Sequence, residues 1–98
     1  MKGKFSRIIQ GCMTWGAWGK QLTKSEMADL IHHSIENQIT TFDHADIYGD
    51  YTTEVAFGNA LEFSGVDREQ IQLISKCGIQ YVGETRDNTV KHYQYNAE

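Results

Sequence analysis

Proline is absent from this chain, where a share of about five per cent would be usual, so glycine has to mark the breaks between elements. Cysteine is nearly absent too: Cys12 and Cys77 lie 65 positions apart. That spacing offers neither a disulfide framework nor a CxxC motif, and two free thiols in a reducing compartment are expected. No apolar run approaches the roughly 18 residues that a membrane span needs. The opening MKGKFSRIIQG carries basic residues but neither the apolar stretch nor the cleavage site of a signal peptide. A cytoplasmic location without a membrane partner is the resulting expectation. Charge of one sign is scarce as well. Thirteen acidic residues against 9 basic ones give a net charge of -4, without the basic stripe of a nucleic-acid binder. With 98 residues the chain suffices for one small domain, with a correspondingly thin margin of stability.

What is present comes in alternating order. Residues 5–10 form a β-branched run closed by Gly11 and predict a strand. GCMTWGAWGK follows, with three glycines and two tryptophans, and predicts a loop whose tryptophans lie against the core or cover something. Thr23-Lys24-Ser25-Glu26 has capping-box form, with Leu22 and Met27 placed as a hydrophobic staple. Met27, Leu30, Ile31 and Ile35 continue it as one apolar helical stripe. Residues 39–43 predict a second strand. A second helix starts at Thr52 or Thr53 with Glu54 in its first turn, runs along Ala56, Phe57, Ala60, Leu61 and Phe63, and stops at Ser64-Gly65. Residues 71–76 predict a third strand. The polar stretch 79–98 predicts loop or frayed helix. The order β-α-β-α-β implies a parallel sheet with helical crossovers.

In such a sheet ligands sit beyond the C-terminal strand ends. Three ends deliver distinctive groups there: the loop with Cys12, Met13, Thr14 and Trp15, then Asp43, then Lys76. Strand parity puts Thr41 and Asp43 on one face and Gln72, Ile74 and Lys76 on one face of the next strand, so Asp43 and Lys76 can meet. Tyr48, in FDHADIYG, can fold back toward both. An ammonium beside a phenol favours its phenolate, and a carboxylate holds the ammonium in place. A tyrosine so placed can protonate a developing alkoxide, or accept the proton in reverse. Each residue also has a plainer use. Asp43 could cap a turn, Tyr48 could pack, and Lys76 could lie along the surface with its charge in water. His44 and Asp46 with Asp43 could suggest a metal, but neighbours in sequence diverge and a lysine repels cations, so no metal is expected and both are assigned to the loop. No GxGxxG or GxxxxGK motif is present.

The motifs GCMTWG at 11–16, FDHADIYG at 42–49, EVAFGNAL at 54–61 and IQLISKCG at 71–78 resemble the aldo-keto reductase family, in particular its bacterial oxidoreductases. The resemblance implies an α/β fold, the N-terminal β-α-β-α-β portion of a (β/α)8 TIM barrel, incomplete as given, with residues 1–98 as a partial barrel domain. It implies reduction of an aldehyde or ketone to an alcohol with NADP(H), or NAD(H), as cofactor and a small-molecule carbonyl compound as substrate. Carried over, Asp43, Tyr48 and Lys76 match catalytic positions, and Thr14, Trp15, Gln21 and Asp43 match positions near the nicotinamide end of the cofactor. The family's fourth catalytic residue, a histidine, and its late cofactor-binding loops have no counterpart, so the short chain alone is expected to be inactive. Its exposed strand edges leave self-association open. The resemblance extends to potassium-channel beta subunits, whose regulatory or assembly role is the non-enzymatic alternative.

Overall fold

The computed structural model describes residues 5–84 and 91–95. Three short strands, β1 (Ile9–Gly11), β2 (Thr41–Asp43) and β3 (Gln72–Ile74), form a parallel sheet in the order β1-β2-β3. Helix α1 (Lys24–Glu36) connects β1 to β2. A single turn, α2 (Tyr48–Tyr51), helix α3 (Thr53–Ser64) and a 3-10 turn (Arg68–Gln70) connect β2 to β3. This parallel order with crossover helices is that of the N-terminal part of a (β/α)8 barrel.

The helix boundaries follow from local chemistry. The Thr23 hydroxyl accepts from Glu26 N at 3.1 Å, while the Glu26 carboxylate accepts from Thr23 N at 2.8 Å. Two otherwise unpaired backbone donors are thereby satisfied by one reciprocal pair. In the next connection, Gly65 closes α3 with a left-handed φ of 78° that a residue with a Cβ adopts only with strain. The strands are shorter than their β-branched runs. Phe5 and Ile8 are exposed and lie before β1, because pairing starts only where β2 runs alongside.

The core is built on β2. Phe42 is fully buried between α1, which contributes Met27 and Ile31, and α3, which contributes Phe57 and Ala60. Trp15 joins it, edge-on to Phe42 at 6.3 Å and tilted against Phe57 at 6.1 Å. Burying rings of this size accounts for much of what a small domain can gain. The neighbouring face of β2 is polar. The Thr41 hydroxyl accepts from Ser6 N at 2.8 Å and donates to the Gln72 side chain at 2.9 Å. Of the expected helical stripes, Leu30 and Phe63 come out exposed, the Phe63 ring lying under Lys24 Nζ at 4.9 Å.

Within the stretch 79–98 expected as loop or frayed helix, residues 85–90 and 96–98 lie outside the described residues, and the rest differs. Residues Ile79–Glu84 form β4 and Lys91–Tyr95 form β5, an antiparallel pair with Ile79 opposite Tyr95 and Tyr81 opposite Tyr93. The alternation Ile79, Tyr81 and Tyr93, Tyr95 carries the period of two that a strand needs, and the stretch's overall polarity conceals it. The cysteines are unpaired: Cys12 is buried in the core and Cys77 is exposed. Among the described residues no helix is long and apolar enough to cross a membrane.

Candidate active site

Register brings the three strand ends level. Gly11 lies beside Asp43, and Asp43 beside Ile74. Past the strands the pairing continues, with His44 N donating to Ile74 O at 2.7 Å and Asp46 N to Lys76 O at 2.9 Å. Lys76 is thus held two residues beyond Ile74, with the parity that points it at Asp43. Its Nζ donates to Asp43 Oδ1 at 2.7 Å and to the main-chain carbonyl of His44 at 2.7 Å. The same Nζ stands 5.4 Å from the centre of the Tyr48 ring. Asp43, Tyr48 and Lys76 therefore meet as their spacing and parity suggest.

Partial burial pulls the Lys76 ammonium down, but the hydrogen bond to Asp43 and the charges of Tyr48 and Asp43 outweigh it, and the net direction is up. The side chains of Lys76 and Asp43 remain 50% and 34% exposed, so the pair is open to solvent and to a ligand.

Tyr48 is placed by an unusual turn. Gly49 (φ 65°), Asp50 (φ 57°) and Tyr51 (φ 71°) are left-handed in succession. Glycine adopts this readily and aspartate tolerably, but a tyrosine there is strained. Gly49 has a second reason to be glycine: a Cβ there would collide with the hydroxyls of Thr52 and Thr53. Gly16, in the loop after β1, is pressed in the same way, its added Cβ falling 2.6 Å from Thr53 Oγ1. That loop therefore lies directly on the start of α3. From it Trp18 reaches Tyr48, ring centres 6.1 Å apart, and donates its indole N–H to Asp50 Oδ1 at 3.2 Å.

The loop's two tryptophans thus divide their tasks. Trp15, matched to a cofactor position, is only 6% exposed, and its ring serves the core. Trp18, expected only to lie against the core or cover something, stands beside Tyr48. Only the left-handed turn brings Asp50 within reach of its indole, and nothing in the spacing of residues 18 and 50 announces this. Thr14 and Gln21 stand exposed on the same loop, Gln21 with a left-handed φ of 50°.

His44, assigned to the loop by its sequence context, is buried instead. It is 3% exposed, edge-on to Phe57 at 4.3 Å, and among the described residues neither ring nitrogen has a hydrogen-bond partner. Burial pushes its basicity down, and Lys76 adds to this, against the opposing pull of Glu54 and Asp43. The ring borders a pocket of about 130 Å³ shared with Glu54, Phe57, Leu61 and Ser75. Ser75 Oγ donates to Glu54 in that pocket.

The sequence pattern of the Aldo/keto reductase family matches residues 7–97. An uncharacterized oxidoreductase, YcsN, of Bacillus subtilis (strain 168) is 45% identical over 93 residues, covering 95% of this chain and 30% of the relative. Oxidoreductase YdhF of Escherichia coli (strain K12) is 36% identical over 92% of this chain and 29% of the relative. A 6-dehydroglucose reductase of Agrobacterium fabrum is 34% identical over 98% of this chain and 32% of the relative. The chain thus spans about a third of the length of the curated relatives it matches.

Proposed function

This chain belongs to the Aldo/keto reductase family, and from that premise we propose that it supplies the proton-transfer half of an NAD(P)H-dependent carbonyl reductase site. The observation that carries the proposal is the Lys76 ammonium, 2.7 Å from Asp43 and 5.4 Å from the Tyr48 ring centre, at the C-terminal edge of a parallel sheet. In this reading Tyr48 donates its phenolic proton to the oxygen of an aldehyde or ketone while hydride reaches the carbonyl carbon. The alcohol leaves with both hydrogens. The positive charge of Lys76 stabilises the phenolate left on Tyr48, and Asp43 with the His44 carbonyl holds that charge in place. In alcohol oxidation the same phenolate takes the proton back.

NADP(H), or alternatively NAD(H), supplies the hydride when bound. The residues present fit its nicotinamide riboside end. One-third exposed, Asp43 has a second carboxylate oxygen to accept from a ribose hydroxyl, and Thr14 and Gln21 offer exposed polar side chains on the adjoining loop. The Trp15 ring, being in the core, is not part of that proposal. Because the chain holds only the proton-transfer half, we expect no turnover from the 98 residues alone.

The test joins this chain to the C-terminal two thirds of the Bacillus relative and follows aldehyde-dependent NADPH consumption. Tyr48→Phe should lower turnover about 10²–10⁴-fold, the usual weight of a general acid, with NADPH affinity kept. Near-normal turnover in that variant removes Tyr48 from the role.

A further inference from the structure

We propose that His44 is a positioning residue for Lys76: its main-chain carbonyl is a fixed second acceptor for the ammonium, and its buried ring clamps the peptide that carries it. The inference rests on the reading of Lys76 as the group that acts on Tyr48, but it is measured on Lys76 itself.

Three contacts immobilise residue 44. Its N–H donates to Ile74 O of β3 at 2.7 Å, its carbonyl accepts from Lys76 Nζ at 2.7 Å, and its ring meets Phe57 of α3 edge-on at 4.3 Å. A lysine side chain has four rotatable bonds and loses considerable freedom when ordered. One carboxylate, one-third exposed, is a loose tether for it; a second acceptor on rigid backbone fixes the ammonium in direction as well as distance. Phenylalanine would fill the same space against Phe57 without the two buried ring nitrogens that lack partners among the described residues, so it is the replacement that keeps the clamp. The groups facing the ring are Glu54 on α3, Asp43 on β2 and Lys76 beyond β3, and Glu54 is already engaged by Ser75. A neutral ring leaves Lys76 as the one cation facing it among the described residues. A protonated ring would set a second positive charge beside it and favour loss of its proton.

NMR titration of the 98-residue chain tests this, following the Lys76 side-chain carbon next to Nζ in the native protein, His44→Ala and His44→Phe. The titration midpoint of Lys76 should fall in His44→Ala and be kept in His44→Phe, which retains the clamp. A purely packing role would cost His44→Ala stability and leave that midpoint where it is. An unchanged midpoint in folded His44→Ala, or an equal fall in both variants, overturns the proposal. Should His44→Ala not fold, the native protein decides. The carbonyl carbon of His44 should shift with the midpoint of Lys76, and a carbonyl that stays silent through that transition overturns the proposal equally. Loss of the Tyr48 role in the joined barrel would leave these readouts untouched, so the two failures are separable.

Discussion

Phe42 and Asp43 are neighbours in sequence and opposites in use. Phe42 and, two residues on, His44 turn to α3 and meet Phe57 at 5.4 and 4.3 Å. Thr41 and Asp43 turn to the other side, where Thr41 hydrogen-bonds Gln72, Asp43 pairs with Lys76, and Lys76 is half in water. One side of three residues of strand supplies rigidity, and the other supplies chemistry. The division explains how so small a sheet can hold a lysine still: the groups that aim it are fixed from behind by the core. It also implies that the two sides should fail differently when damaged.

The largest effect is expected on the core side. Phe42→Ala removes a fully buried ring, a change that typically costs about 3–5 kcal/mol, comparable to the whole stability of a small domain. Urea unfolding followed by circular dichroism should show the cooperative transition lost, and a transition with an unchanged midpoint would break the comparison. The polar side should behave in the reverse way. Lys76→Met should remove most turnover in the joined barrel yet shift the unfolding free energy by no more than about 1 kcal/mol, since a half-exposed pair is worth little to stability. A large loss of stability there would show that the two sides are not separable.

Acid and alkali sharpen the division further. His44 is less basic folded than unfolded, so its contribution is complete above the ordinary histidine value of about 6.5 and is lost as pH falls through its lower folded value. Native His44 should lose stability on that acid limb and His44→Phe should not. Lys76 is more basic folded, so its contribution is complete below its ordinary value and is lost as pH rises through the folded one. Burial pushes the Cys12 thiol up to about 12, which adds to the alkaline loss. Cys12→Ala should flatten the alkaline limb in pH-dependent unfolding, and an unaltered limb would remove the thiol from it. The smallest effect is at the outer strand β3, where Leu73 is 37% exposed. Leu73→Lys should reduce any concentration-dependent association seen by light scattering while leaving the Lys76 titration unchanged.

The sequence shows the trio more clearly than its surroundings. Asp43 and Lys76 obey a period of two, which survives even though each strand is only three residues long. The Thr23–Glu26 box is equally legible because it is entirely local. Strand lengths are not, because β-branched runs continue where no partner strand does. The β4–β5 pair escapes a reading based on polarity. Gly49 announces a left-handed position, but nothing in Asp50 or Tyr51 says that the turn continues through them. Trp18 depends on that continuation, as the clamp at His44 depends on a main-chain carbonyl that no side chain signals.

The left-handed run at 49–51 has a consequence for how this protein can vary. Drift in most surface loops is limited only by solubility, but here each step must preserve a backbone shape that few side chains accept. In a saturation library selected for folding, position 49 should keep glycine alone and position 50 should admit asparagine or glycine. Valine, isoleucine and threonine should vanish from both. The residue that carries the chemistry, Tyr48, therefore sits beside the least permissive stretch of the chain, and its place in space is inherited with that stretch.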